Sequence, residues 1–191
     1  MPLDIVILGP PGAGKGTQAA KIEADAGIPH IATGDIVREE MAAETPFGLK
    51  VMEYNLRGEL VPDELMIARV RERLAQPDTE RGFVLDGFPR TLEQARALDA
   101  TLDELDRAIR VVLHFQLPEE LAEQRLLGRA LASGRADDTP DVIHKRMATM
   151  RVPHELVAYY RALGNLVGIH ADRSIDEVYA EVQNVLEAAA A

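Results

Sequence analysis

The stretch Gly9-Pro10-Pro11-Gly12-Ala13-Gly14-Lys15-Gly16-Thr17 constrains this chain more than any other. It follows Asp4-Ile5-Val6-Ile7-Leu8, an apolar run of the length of a buried strand. It opens the segment Thr17 to Ala26, which reads as a helix. Strand, glycine-rich turn and helix is the setting that a phosphate-binding loop requires. The glycines let the turn take positive φ and keep side chains away from an anion. Several backbone N–H groups then point at one phosphate, beside the positive end of the helix dipole. Lys15 adds a mobile point charge suited to β- and γ-phosphates. The pattern G-x-x-x-x-G-K is complete, with one departure: Gly16 stands at the usual hydroxyl position and Thr17 comes one residue later. A glycine-rich turn with no ligand is the plainer reading, and strand, spacing and lysine together outweigh it.

At 191 residues the chain makes one domain with an insertion, or two small ones. Apolar residues at 47% are enough for a core, and no apolar run is long enough to span a membrane. The first apolar run belongs to a strand and lacks the basic flank of a cleaved leader, so a cytoplasmic protein is expected. Cysteine is absent, which rules out disulfides and thiolate metal sites. The five histidines have no ligand-like spacing and read as structural or surface residues. A net charge of −11 argues against a nucleic-acid or anionic-membrane partner. The ligand expected at the loop is itself an anion, so positive charge must be concentrated locally.

The remaining chain alternates strand and helix. Ile28 to Ala32 is a short strand weakened by Pro29, followed by Thr33-Gly34-Asp35 and a helix to about Glu44. Thr45-Pro46-Phe47-Gly48 breaks that helix, and another runs to Asn55. Asp63 is an N-cap candidate for a helix to Gln76. Gly82 to Asp86 is a strand ending in a carboxylate, and Gly87-Phe88-Pro89-Arg90 a tight turn. Thr91 to Asp106 is helical, with Leu92, Ala95, Leu98, Leu102 and Leu105 on one face. Ile109 to Leu117 is a strand, Pro118 suits the first turn of a helix, and Ala132-Ser133-Gly134-Arg135 interrupts helicity. Thr139-Pro140 reads as N-cap and first residue of a long helix. Leu166 to His170 is the last strand. Ser174 to Glu177 is a capping box, opening a helix whose buried stripe is Ile175, Val178, Tyr179, Val182, Val185 and Leu186. This alternation predicts an α/β fold with a parallel sheet, helices on both faces and right-handed crossovers. Ligands of such sheets bind beyond the carboxyl ends of the strands, where Gly9, Thr33, Asp86 and Asp172 fall.

Several side chains at those ends suit phosphate chemistry. Asp86 can hold Mg²⁺ through its water shell, since magnesium dehydrates reluctantly; its alternative is capping the next turn. Arg90, in the Gly-Phe-Pro turn, offers a fixed fork of donors to a phosphate, and Arg38 lies on the helix after Asp35. Thr91-Leu92-Glu93-Gln94 has capping-box spacing, so Gln94 either caps its helix or serves the site. Arg125, Arg129, Arg135, Arg146 and Arg151 crowd one quarter of an acidic chain. Singly each reads as a solvated helix face. Flanking a glycine break, together they fit a cover that brings cations onto phosphates during phosphoryl transfer.

In combination these motifs resemble the adenylate kinase family, in its short-lid form, over essentially the whole chain. The resemblance rests on Gly9 to Thr17, Thr33-Gly34-Asp35 with Arg38, Gly82 to Arg90, and Ser133-Gly134-Arg135-Ala136-Asp137-Asp138. It implies a phosphate-loop NTPase-like core with a five-stranded parallel sheet, comprising residues 1–33, 64–124 and 141–191. An AMP-binding excursion spans about 34–63 and a lid about 125–140. It implies reversible transfer, ATP + AMP ⇌ 2 ADP, with Mg²⁺ carried as MgATP, and a role in adenine nucleotide homeostasis.

By the same resemblance, Gly12, Ala13, Gly14, Lys15, Gly16 and Thr17 hold ATP phosphates, with Arg129 and Arg125 beside them. Arg173 lies in the loop contacting the ATP adenine, where the family often has glycine. Thr33, Arg38, Arg90 and Gln94 match AMP positions; Glu59, Leu60 and Val61 line the adenine by backbone; Gly87, Phe88, Pro89 and Arg90 form the AMP phosphate turn. Arg135 and Arg146 reach toward the acceptor phosphate, and Asp86 is the magnesium-linked carboxylate. A lid without cysteine excludes the zinc-bearing long-lid form. Nucleotides are the expected partners of a monomer. A UMP/CMP kinase shares the loop and the Asp-Gly-Phe-Pro-Arg turn but resembles alanine at position 33; a catalytically idle nucleotide-binding module is the other alternative.

Overall fold

The structure, a computed structural model, describes residues 2–133 and 139–190. In chain order the elements are β1 (Leu3–Leu8), α1 (Lys15–Ala26), β2 (His30–Ala32), α2 (Thr33–Ala42), α3 (Pro46–Leu56), α4 (Asp63–Leu74) and β3 (Gly82–Asp86). Then come α5 (Leu92–Asp103), β4 (Val111–Gln116), α6 (Glu119–Ser133), α7 (Pro140–Thr149), α8 (His154–Ala162), β5 (Leu166–His170) and α9 (Ile175–Ala190). The five strands form one parallel sheet in the order β2-β3-β1-β4-β5.

β1 is central because it is apolar on both faces. Val6 and Leu8 pack with Phe83, Leu98 and Tyr160 on one side, while Ile5 and Ile7 pack with Ile22, Phe115 and Val182 on the other. Successive strand residues face opposite ways, so a strand covered by helices on both sides reads as a continuous apolar run. Asp4 is the exception within that run: it is fully buried and gripped by the guanidinium of Arg107 through Nε, at 3.0 Å, and Nη2. Burial pushes the Asp4 carboxyl up, and Arg107 opposes that shift.

α2 and α3 leave the sheet and pack closely on each other. A Cβ at Gly48 would stand 2.1 Å from the Glu40 carbonyl oxygen, so only glycine permits this crossing. Thr45 caps α3 by accepting from the Gly48 N–H at 3.0 Å, and Pro46 takes the first helical position.

Several boundaries differ from the sequence reading. α2 starts at Thr33 itself. Asp63 is the first residue of α4, with Pro62 at the cap position, because its carboxylate is engaged across the fold by Thr91 and Gln94. Leu105 lies past the end of α5 and is 42% exposed. Ala132 and Ser133 remain helical in α6. The long helix after Pro140 is two helices, since Pro153 cannot continue α7 and instead precedes α8. Ile175 is 54% exposed: it opens α9 above the sheet end, and the buried stripe starts at Val178. The capping box at Ser174 is formed, with Glu177 accepting from the Ser174 N–H at 3.1 Å.

Candidate active site

Register brings the functional turns together. Ile7 of β1 and Ala32 of β2 both lie opposite Asp86 of β3, so the loop after β1, the start of α2 and the turn after β3 share one end of the sheet. A cavity of about 1030 Å³ opens there. That exceeds the range of an ordinary small-ligand pocket and leaves room for two nucleotides.

The loop after β1 wraps one wall. Gly12 has φ +82°, and a Cβ on it would stand 2.5 Å from the Ala122 carbonyl oxygen in α6. Gly14, at φ +79°, caps α1 in the left-handed conformation. Lys15 is half-buried, and its Nζ donates to the Pro10 carbonyl at 2.9 Å, folded back over its own loop. Desolvation lowers the Lys15 pKa; Asp86 opposes the shift, and Arg90 and Arg129 add to it. A cation with depressed pKa beside two further cations is poised to gain from an incoming anion.

Asp86 is 16% exposed. Burial alone would raise its pKa, but the His30 imidazole, Lys15 and Arg90 outweigh this and hold the carboxyl below its ordinary range. His30 Nε2 lies 3.8 Å from Asp86 Oδ2, beyond hydrogen-bond distance. Gly16 has no side chain, so the place a Cβ would take, 3.6 Å from Asp86 Oδ2, stays open beside the carboxylate. One carboxylate with such space fits a hydrated Mg²⁺ held largely by substrate phosphates. Among the described residues no group of three or more His, Asp or Glu converges into a protein-only metal cage.

The same cavity is lined by Arg38, Leu60, Gly87, Pro89 and Arg90. Arg38 pairs with Asp35 one helical turn away. Arg90 Nε donates to the Gly87 carbonyl at 2.8 Å, which sets the guanidinium against its own turn. The peptide between Phe88 and Pro89 is cis. From α6 and α7 come Arg125, Arg129 and Arg146; Arg125 donates to the Ala171 carbonyl at 2.8 Å, and Arg146 is buried. Arg173 lines the cavity edge with its guanidinium paired to Glu181.

Most residues expected from the sequence thus line one cavity: Gly12 to Thr17, Arg38, Leu60, Asp86, Gly87, Pro89, Arg90, Arg125, Arg129, Arg146 and Arg173. Thr33, Glu59, Val61, Phe88 and Gln94 are not among its lining residues. Thr33 is buried, and its hydroxyl donates to the Asp86 carbonyl at 3.2 Å, stitching two strand ends. The Glu59 carboxylate pairs with Lys145 at 2.8 Å and with Arg57. Val61 and Phe88 are core residues. Gln94 caps: Thr91 accepts from the Gln94 N–H at 3.1 Å, while the Gln94 side chain accepts from the Arg90 N–H at 2.7 Å. That acceptor is one residue upstream of the usual capping-box target. Arg135 lies outside the described residues.

Among the lining residues that the sequence reading does not assign to the site are His30 and Gln18. His30 has no ligand spacing in the sequence; it opens β2, and its side chain reaches Asp86 from that strand, next to β3. Gln18, one turn after Lys15, is buried and donates to the Ile175 carbonyl at 2.9 Å, tying the loop helix to the start of α9.

Comparison with known proteins agrees with this geometry. The family model described as adenylate kinase matches residues 7–165. A protein named adenylate kinase from Xanthomonas campestris pv. campestris (strain 8004) is 41% identical over 183 residues, covering 95% of this chain and 98% of that protein. The one from Xylella fastidiosa (strain 9a5c) is 41% identical over 175 residues, covering 91% and 94%. The one from Bacillus subtilis (strain 168) is 39% identical over 212 aligned positions, more than the 191 residues present here, so it carries sequence that this chain lacks. By its motifs, its fold and these matches, the chain belongs to the adenylate kinase family.

Proposed function

We propose that this chain is an ATP:AMP phosphotransferase, carrying out ATP + AMP ⇌ 2 ADP. The observation that supports this most is one cavity of about 1030 Å³ lined both by the Lys15 loop and by Arg38 and Arg90. A cavity of that size with two separate sets of phosphate-binding groups suits a transfer between two nucleotides better than hydrolysis of one.

Phosphoryl transfer asks the protein for position and charge rather than covalent chemistry. The backbone of Gly12, Ala13, Gly14, Gly16 and Thr17 cradles the donor phosphates. Lys15 exchanges the Pro10 carbonyl for the transferring group. Arg38 and Arg90 hold the acceptor phosphate in line. Arg125, Arg129 and Arg146, with Arg135, neutralise charge that develops between them. Asp86 is the residue that would hold Mg²⁺, and the ion, carried as MgATP, would supply charge neutralisation for the phosphates. Leu60 with the backbone of Glu59 and Val61, together with Thr33 and Gln94, positions the acceptor base, and Arg173 flanks the donor base.

The division into a core (1–33, 64–124 and 141–191), an excursion (34–63) and a lid (125–140) is supported by α2 and α3, which leave the sheet and return at α4. No helix among the described residues is long and apolar enough to cross a membrane. A cytoplasmic monomer free of zinc, without nucleic-acid partners, completes the proposal. A coupled assay of ATP against AMP, CMP, UMP and GMP tests the reaction. AMP preferred over CMP and UMP by about a hundredfold in kcat/KM, the scale of one or two lost buried hydrogen bonds, is expected. Equal use of UMP or CMP overturns the choice of acceptor, and no turnover with any acceptor returns the chain to an idle binding module.

A further inference from the structure

Asp63 joins three elements. Its Oδ2 accepts from the Thr91 hydroxyl at 2.5 Å and its Oδ1 from Gln94 Nε2 at 2.7 Å. Gln94 Oε1 in turn accepts from the Arg90 N–H at 2.7 Å. The first residue of α4 is therefore wired through the first turn of α5 to the arginine of the phosphate turn. Gln94 is buried, so water does not compete for its amide.

The chemistry of these partners permits only one of the two amide flips. A carboxylate only accepts and a backbone N–H only donates, so the NH₂ must face Asp63 and the oxygen must face Arg90. A primary amide has two N–H groups and two lone pairs. The network uses one of each. Gln94 stands beside Arg90 and Thr91, which line the cavity. In the acceptor-site role proposed for it, one donor and one acceptor in a fixed sense remain for a base, which suits the N1 acceptor and N6 donor of adenine. Hypoxanthine has the same size with that edge reversed. A free amide turns over to serve either base, whereas here a flip would set its oxygen against a carboxylate and its NH₂ against an N–H.

We propose that Asp63 is a positioning residue that locks the Gln94 amide and thereby makes the acceptor site choose adenine over a purine with the reversed edge. This rests on the reading of the chain as an ATP:AMP phosphotransferase. The test is steady-state turnover of ATP with AMP or inosine monophosphate, in wild type, Asp63→Ala and Asp63→Asn. Wild type should prefer AMP by about a hundredfold or more in kcat/KM. Asp63→Ala should lower that ratio at least about tenfold and raise KM for AMP, with KM for ATP unchanged, because only one of the two locking partners remains. Asp63→Asn should restore the preference, since its oxygen still accepts from Gln94 Nε2 and its NH₂ can donate to the Thr91 hydroxyl. If Asp63→Ala does not fold, Asp63→Ser, which offers the amide no carboxylate, takes its place with the same expectation. A variant that melts earlier but keeps the AMP-to-inosine ratio and both KM values makes Asp63 a structural tie and overturns the lock. A wild type that uses both purines equally also overturns it, whereas a wild type inactive on AMP defeats the underlying reading instead.

Discussion

Gly12→Ala and Gly14→Ala form a matched pair that tests how the phosphate loop is built. Both glycines have positive φ, +82° and +79°, so alanine at either position meets the left-handed penalty, about 1–2 kcal/mol. Their surroundings differ. A Cβ at Gly14 has nothing within 4 Å, whereas one at Gly12 would stand 2.5 Å from the Ala122 carbonyl oxygen and 3.1 Å from its carbon. Reaching ordinary contact means moving α6 away by about 0.9 Å, and forcing atoms into a packed site adds about 1–3 kcal/mol. Gly14→Ala should therefore lower Tm by roughly 2–8 °C and Gly12→Ala by roughly 4–20 °C, at the 2–4 °C per kcal/mol of a chain this size.

The displaced segment of α6 carries Arg125 and Arg129, so Gly12→Ala should also reduce kcat by about a hundredfold, the usual cost of a misplacement near 1 Å. Scanning calorimetry and the coupled ATP/AMP assay read both effects. Equal loss of stability in the two variants, or wild-type turnover in Gly12→Ala, would show that the loop does not rest on α6 as described.

Lys15→Met should leave the fold intact by circular dichroism and lower kcat at least about a hundredfold, the scale of removing one preorganised charge from a transition state; near-normal turnover refutes the assignment. Arg107→Met strands the buried Asp4 carboxylate and should cost about 3–5 kcal/mol in urea unfolding, while adding Asp4→Asn to it should recover part of that loss. Asp86 has a depressed folded pKa, so the stability it contributes is present above the unfolded value of 3.8 and lost as pH falls through the folded one. The Tm difference between wild type and Asp86→Asn should therefore be largest near neutrality and shrink as the pH falls below 3.8; a difference independent of pH removes Asp86 from the charge cluster.

The phosphate loop, the five strands and most helices were legible in the sequence because each is encoded locally. Glycine and lysine spacing marks the loop, apolar runs mark strands buried on both faces, and Thr45-Pro46, Thr139-Pro140 and Ser174 to Glu177 mark helix starts through groups three residues away. Pairings between residues distant in sequence were not legible. Asp63 looked like a cap because its neighbours in sequence allow it, yet its carboxylate is taken by Thr91 and Gln94, about thirty residues on. Local pattern left Gln94 open between cap and site, and the structure shows the capping hydrogen bonds in place. His30 carried no motif, and only the alignment of β2 with β3 brings it beside Asp86. Asp4 opens the first apolar run, and nothing near it in sequence points to Arg107, which reaches it from beyond α5. Local spacing decides which elements form because backbone hydrogen bonds and caps act over a few residues. Which side chains share a site is decided by sheet order and register, and these exist only once the strands have paired.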